Sequence, residues 1–273
     1  MPLSLILLIA AVQGITEFLP VSSSGHLVLV PVMTDQAYQG QSIDVAAHVG
    51  TLIAVCIYLR RDVISIITAM LGFGDSRQMT NNRRLGLMIA AATLPVVIVG
   101  FVLNYAAWHW LTLVTTLAWA NLVFAVLLWA ADRFGQDVFR LTDMRWSAAL
   151  AIGLMQVCAL IPGASRSGVT MTAARFFGYD RLAAARFSLL LSLPAIAGAG
   201  LLKTIDLVGL GDMRLGLDAA LVALLSALFA LLAVRLMMSW LAKASFAVFV
   251  VYRLALGSIL LLALQQGWIA AVI

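Results

Sequence analysis

Charge is scarce in this sequence. Seventeen Lys+Arg and twelve Asp+Glu make 11% of 273 residues, where a soluble domain carries about 25%. So few charges cannot coat a globule of this size, which excludes a soluble enzyme. The 63% hydrophobic content excludes intrinsic disorder. Cysteine is nearly absent too. Cys56 and Cys158 stand singly inside apolar blocks, so a disulfide framework and a zinc-type cysteine pair are not expected. No Walker loop, dinucleotide glycine fingerprint or His-Glu-x-x-His pair occurs, which argues against ATP hydrolysis and nucleotide redox chemistry. Short alternating strands are missing, against a transmembrane β-barrel. The net charge of +5 reads as basic loops beside a membrane and not as affinity for nucleic acid.

What the chain does have is long apolar runs, with a mean hydropathy of +1.06. They cover 43–59, 85–103, 112–131, 183–202, 219–240 and 247–265. Each approaches the ~20 residues needed to cross the hydrocarbon core. Two further apolar regions are interrupted. Residues 2–34 break at Pro20-Val21-Ser22-Ser23-Ser24-Gly25-His26, and residues 147–178 break at Pro162-Gly163-Ala164-Ser165-Arg166-Ser167-Gly168. The flanks of each break are too short to span, so half-helices that enter and turn back are expected.

The two breaks resemble each other. One reads Gln13, Phe18-Leu19-Pro20, Ser22, Ser24-Gly25; the other reads Gln156, Leu160-Ile161-Pro162, Ser165, Ser167-Gly168. Three spans follow each. The chain therefore parses as two repeats, about 1–135 and 140–273, with Asp132 to Arg145 as a solvated connector. Arg60, Arg61, Arg77, Arg83 and Arg84, then Arg133, Arg140 and Arg145, then Arg235 and Lys243, mark cytoplasmic regions. The 104–112 loop has no Lys or Arg, and only Lys203 and Arg214 lie between the fourth and fifth spans. With this assignment the hairpins enter from opposite sides, and the repeats are inverted. The expected fold is an all-α polytopic membrane protein: an inverted-topology repeat with six transmembrane helices plus two re-entrant helical hairpins.

Ionisable groups inside such hairpins are energetically expensive and point to function. Glu17, His26 and Arg166 stand out. Gln13 and Glu17 are four apart on one helix face, offering a carbonyl oxygen and a carboxylate for a hard cation or for proton transfer. Serines at the breaks suit helix capping, and helix N-termini attract anions. Two N-termini and a guanidinium describe a phosphate or diphosphate site. Its candidate binding groups are Ser22, Ser24 and Gly25 in the first break, and Gly163, Ser165, Ser167, Gly168 and Thr170 in the second. His26 is a candidate acid, base or nucleophile. His48, with Asp44 before it, suits a helix-end hydrogen bond. His109, between Trp108 and Trp110, suits an interfacial aromatic belt.

The stretch Gln13-Gly14-Ile15-Thr16-Glu17-Phe18-Leu19-Pro20-Val21-Ser22-Ser23-Ser24-Gly25-His26 resembles the first signature of the bacterial undecaprenyl-diphosphate phosphatases, also called bacitracin-resistance proteins. Pro162-Gly163-Ala164-Ser165-Arg166-Ser167-Gly168-Val169-Thr170 resembles their second, and the likeness covers essentially the whole chain. The resemblance implies an enzyme that removes the terminal phosphate of undecaprenyl diphosphate, recycling the lipid carrier of cell-wall synthesis. It implies a multi-pass protein of the inner membrane with its site toward the periplasm, and a divalent cation, Mg²⁺ or Ca²⁺. Shorter prenyl diphosphates are implied substrates, membrane lipid is a partner, and a homodimer is left open. By position, Glu17 matches the essential glutamate, Gln13 the other slot of the metal motif, where many relatives have Glu, and Ser23, His26 and Arg166 the remaining catalytic residues. His48 stands where many relatives have glutamine. Whether Ser23, His26 or water attacks phosphorus stays open at this point. The rival reading is a lipid-phosphate flippase or transporter on the same inverted-repeat fold.

Overall fold

A computed structural model describes residues 1–27, 29–30, 40–73, 76–106, 109–210 and 213–269. Their regular elements are helical: α1 (Leu3–Thr16), α2 (Ser23–Leu27), α3 (Gln41–Tyr58), α4 (Arg60–Met70), α5 (Ser76–Ala106), α6 (Val114–Phe134), α7 (Trp146–Met155), α8 (Arg166–Phe176), α9 (Arg181–Leu210), α10 (Met213–Leu241) and α11 (Ala247–Gln265). Among the described residues, six helices contain segments long and apolar enough to cross a membrane: Gln41–Tyr58, Gln78–Leu103, Val114–Phe134, Arg181–Gly198, Leu215–Leu241 and Ala247–Gln265. These match the six apolar runs. The 14 residues of α1 rise only about 21 Å, short of the roughly 30 Å of hydrocarbon. The second interrupted region is likewise α7, a 3-10 turn over Gln156–Leu160, and α8.

Packing couples the halves. α1 lies on α10, α7 lies on α5, α3 pairs with α9, and α6 pairs with α11. Exchanging the first half for the second turns the α1–α10 contact into the α7–α5 contact and leaves the other two unchanged. Small residues make the close approaches that packing in lipid relies on. A Cβ on Gly14 of α1 would sit 2.6 Å from Phe229 Cβ, and one on Gly153 of α7 would sit 2.2 Å from the Ala92 carbonyl oxygen. By contrast a Cβ at Gly198 would meet nothing, so this position is not a packing notch. Outward faces carry large apolar side chains, as at Leu224, Leu228, Leu232 and Leu236 on α10, a stripe suited to acyl chains as solvent.

Two expectations are corrected. The charged stretch 60–84 between the first two apolar runs, read from its composition as a loop, is largely helical. α4 forms there, packs on α5 and exposes Ile64, Ile67 and Met70 beside its charged first turn, the pattern of a helix lying in a membrane interface. The start of the Asp132 to Arg145 connector is not solvated. The Asp132 side chain is 8% exposed and lies 3.4 Å from Arg175 and 2.7 Å from Arg181. It also accepts a 2.9 Å hydrogen bond from the Phe246 backbone N–H. Burial leaves Arg175 needing partners, and it takes Asp137 and the Tyr179 carbonyl as well. Of the Trp108-His109-Trp110 belt, Trp108 lies outside the described residues, and Trp110 is exposed.

Candidate active site

The α1 helix ends at Glu17, one turn beyond Gln13, so both side chains leave the same face. Pro20 then ends the apolar run, and the chain turns through Ser22 into α2. Ser22 takes φ 72°, and Ser165 takes φ 69° at the matching place before α8; they are the two non-glycine residues with positive φ among those described. Such backbone is strained by about 1–3 kcal/mol and persists where surroundings enforce it. Each serine hydroxyl is bonded to the serine two residues on, Ser22 to Ser24 at 3.1 Å and Ser165 to Ser167 at 3.2 Å. Ser165 also caps α8 by accepting from the Gly168 N–H.

The two breaks touch. Ser167 Oγ donates to the Leu19 carbonyl at 2.9 Å. Arg166 Nη2 donates to Glu17 Oε1 at 2.6 Å. Ser23 Oγ donates to Glu17 Oε2 at 2.8 Å, and Gln13 Nε2 donates to the same oxygen at 2.8 Å. The Glu17 side chain is 7% exposed, so this carboxylate is held in place by its donors and shielded from water. Arg166 keeps its other fork free: Nη1 is buried without a partner, with the guanidinium over the Phe18 ring.

A cavity of about 440 Å³ opens on this cluster, lined by Glu17, Ser22, Ser23, Ser24, His48, Ser165 and Arg166, with Val45, Ala159, Leu160, Ala195 and Ile196 as its apolar wall. Pro194 interrupts the hydrogen-bond ladder of α9 next to that wall. The remaining candidates lie behind the lining. Gly163 (φ 91°) runs against Leu117, whose carbonyl oxygen a Cβ would approach to 2.1 Å; only glycine fits this turn. Gly25 and Gly168 pack against Leu117 and Arg253. Ser167 ties the breaks together, and Thr170 is buried against Ser188 and the Arg166 carbonyl.

His26 is not among the cavity-lining residues. Its Nδ1–H donates to the Ser22 carbonyl at 2.7 Å, and its Nε2 accepts from the Tyr252 hydroxyl at 2.5 Å. The rings stack with centroids 5.5 Å apart. Sequence reasoning gave His48 only a helix-end bond. That bond exists, Nδ1–H to the Asp44 carbonyl at 2.8 Å, but the other ring nitrogen reaches 3.5 Å from Glu17 Oε2. It also passed over Arg253, fully buried, which donates to Asn121 and to the Gly163 and Ala164 carbonyls and so fixes the second break from behind. An arginine midway along the apolar run 247–265 was the available signal.

A divalent cation finds few protein ligands here. No group of three or more His, Cys, Asp or Glu able to hold a metal occurs among the described residues. Glu17 offers one carboxylate, and Gln13 Oε1 is buried with no partner. That pair fits a cation that completes its shell with phosphate oxygens and water, and does not fit an all-protein cage.

Residues 6–259 match the family described as Bacitracin resistance protein BacA. The chain is 46% identical over 257 residues to the undecaprenyl-diphosphatase of Ruegeria pomeroyi, covering 94% of this chain and 96% of the relative. It is 45% identical over 258 residues to that of Alcanivorax borkumensis, covering 93% and 96%. Against that of Roseobacter denitrificans it is 43% identical over 257 residues, covering 94% and 96%.

Proposed function

This chain belongs to the bacitracin-resistance protein family, and from that premise we propose that it hydrolyses undecaprenyl diphosphate to undecaprenyl phosphate and inorganic phosphate in the Glu17 cavity. The observation that carries the reading is the Ser23 hydroxyl donating to a buried carboxylate whose other oxygen anchors a half-free guanidinium.

The chemistry follows from those groups. Ser23 Oγ attacks the terminal phosphorus while its proton passes to Glu17. The bond to the bridging oxygen breaks, and the prenyl monophosphate departs. Water then attacks the phosphoserine phosphorus; as the Ser23 Oγ–P bond breaks, Glu17 returns its proton to Ser23 Oγ, and the departing inorganic phosphate keeps the protons of the water. Arg166 Nη1 and the Arg166 and Ser167 N–H groups, which precede the N–H taken by the Ser165 cap, hold the non-bridging oxygens as charge shifts toward the leaving group. His26 acts as a positioning residue: its bond to the Ser22 carbonyl holds the strained turn that presents Ser23. Glu17 and the Gln13 carbonyl oxygen are the groups that would hold Mg²⁺ or Ca²⁺, which supplies neutralisation of phosphate charge.

The packing relation between the halves supports inverted repeats carrying two re-entrant hairpins. The arginine-rich ends support an inner-membrane orientation with those ends in the cytoplasm. In that orientation Val45 and Ala195–Ile196 of the cavity wall belong to the outer parts of α3 and α9, which supports a site open toward the periplasm. The polar lining groups are gathered around Glu17 and Arg166, enough for a diphosphate alone, which supports shorter prenyl diphosphates as substrates too. Transport alone would leave the Ser23–Glu17 bond without a use. Phosphate release from farnesyl diphosphate by the purified chain in detergent tests the reading. Steady release is expected, and a well-folded protein that releases none overturns it.

A further inference from the structure

A second cavity, of about 650 Å³, lies at the arginine-rich end of the bundle and shares no lining residue with the Glu17 cavity. Arg60 and Arg61 at the start of α4, Arg186 on α9 and Arg235 on α10 line it. Its one carboxylate, Asp62, is engaged by Arg186 through two bonds of 2.7 and 2.8 Å. No carboxylate lies within ion-pair distance of Arg60, Arg61 or Arg235 among the described residues. Four guanidinium groups against one acid leave the cavity strongly positive.

Orienting the protein does not require this arrangement. The positive-inside rule is met by basic residues anywhere near a span end, as Arg83 and Arg84 meet it, exposed on α5. Here arginines from three separate helices converge on one concavity. Arginine is the side chain suited to grip phosphate with a planar fork.

An apolar groove adjoins this cavity at Ser239. Ser239 lines both this site and a groove of about 730 Å³ that runs along α10 past Leu232, Leu236 and Trp240 toward Ile15 and Leu19. Lys243 stands in the groove's lining as its one charged side chain. A cationic pocket joined to a hydrocarbon groove, at the depth where α4 lies in the interface, has the polarity of a lipid with an anionic head. We propose that this cavity binds the phosphate of an anionic phospholipid of the cytoplasmic leaflet, with an acyl chain lying in the α10 groove. The site is separate from the hydrolytic one, and its occupant is membrane lipid and not substrate.

Native mass spectrometry of the full chain, delipidated in detergent and titrated with phosphatidylglycerol or phosphatidylcholine, tests this. The chain should retain phosphatidylglycerol at one tight site and hold phosphatidylcholine at least tenfold more weakly. Each arginine replaced by glutamine should weaken retention about fivefold, and the triple variant Arg60→Gln, Arg61→Gln, Arg235→Gln about a hundredfold. Phosphate release from farnesyl diphosphate by that variant should stay within about twofold of wild type, which separates this test from the proposed hydrolysis. If the triple variant does not fold, Arg235→Gln alone carries the comparison. Equal retention of the two lipids, unchanged retention in the arginine variants, or displacement of phosphatidylglycerol by equimolar inorganic phosphate or undecaprenyl phosphate would overturn the proposal.

Discussion

Ser23 and Arg166 hold opposite oxygens of one carboxylate, Ser23 at 2.8 Å from Glu17 Oε2 and Arg166 at 2.6 Å from Oε1. They also stand at the same place in the two breaks, each directly after a serine with positive φ. One local device, used twice, thus brings a hydroxyl from the first half and a guanidinium from the second onto one carboxylate. Glu17 is where they join.

Glu17→Gln keeps the side chain's size and one acceptor oxygen but removes the base. Phosphate release should fall about a thousandfold, with the melting temperature checking that the fold survives. Retention of more than a tenth of wild-type turnover would remove Glu17 from the proton path.

Arg166→Lys replaces a fork by a point charge. One donor cannot serve Glu17 and a phosphate as two Nη groups can. The expected loss in kcat/KM is about a hundredfold, with KM for farnesyl diphosphate raised; a KM equal to wild type would count against direct contact with substrate.

His26→Ala frees the Ser22 carbonyl and lets the strained turn relax. Misplacing Ser23 by about 1 Å should lower kcat about a hundredfold with little change in KM. Tyr252→Phe leaves the Ser22 bond in place, so kcat should fall by less than about fivefold. Equal losses in the two variants would place the function of His26 at the Tyr252 contact instead.

The architecture was legible because spans are written as length and hydropathy, and breaks as proline, glycine and serine among apolar residues. The meeting of Glu17 with Arg166 was legible because each would be too costly in lipid without a partner. Side-chain aim was not legible. His26 and His48 look alike in sequence, yet one turns to Tyr252 and the other to Glu17. That choice is made by α11 and α3 packing from distant parts of the chain. Gly163 and Thr170 read as ligand contacts because loop and site share the same residue types; the fold packs them against Leu117 and Ser188, neighbours that no local sequence signal names. α4 was hidden by its charge, which hydropathy alone scores as loop.

Arg253→Met removes the donor that satisfies the Gly163 and Ala164 carbonyls. Each buried acceptor left unpaired is worth about 1–3 kcal/mol. Thermal unfolding should show a loss of about 3 kcal/mol, and turnover should drop although no lining residue has changed. An unaltered melting curve would mean the loop is held from elsewhere.

Chelation should separate stability from activity. With two protein oxygens available to a cation, excess EDTA should leave the melting temperature within about 1 °C and suppress phosphate release; re-added Mg²⁺ or Ca²⁺ should restore it. A large fall in melting temperature would reveal a structural metal site.

The central claim is that Ser23 and Glu17 work as one unit on the terminal phosphorus. A double-mutant cycle in kcat/KM for farnesyl diphosphate, comparing Ser23→Ala, Glu17→Gln and the pair, measures this directly. The double variant should be no more than about threefold worse than the poorer single variant. Losses that multiply would contradict it, because they would show two residues acting on the reaction independently.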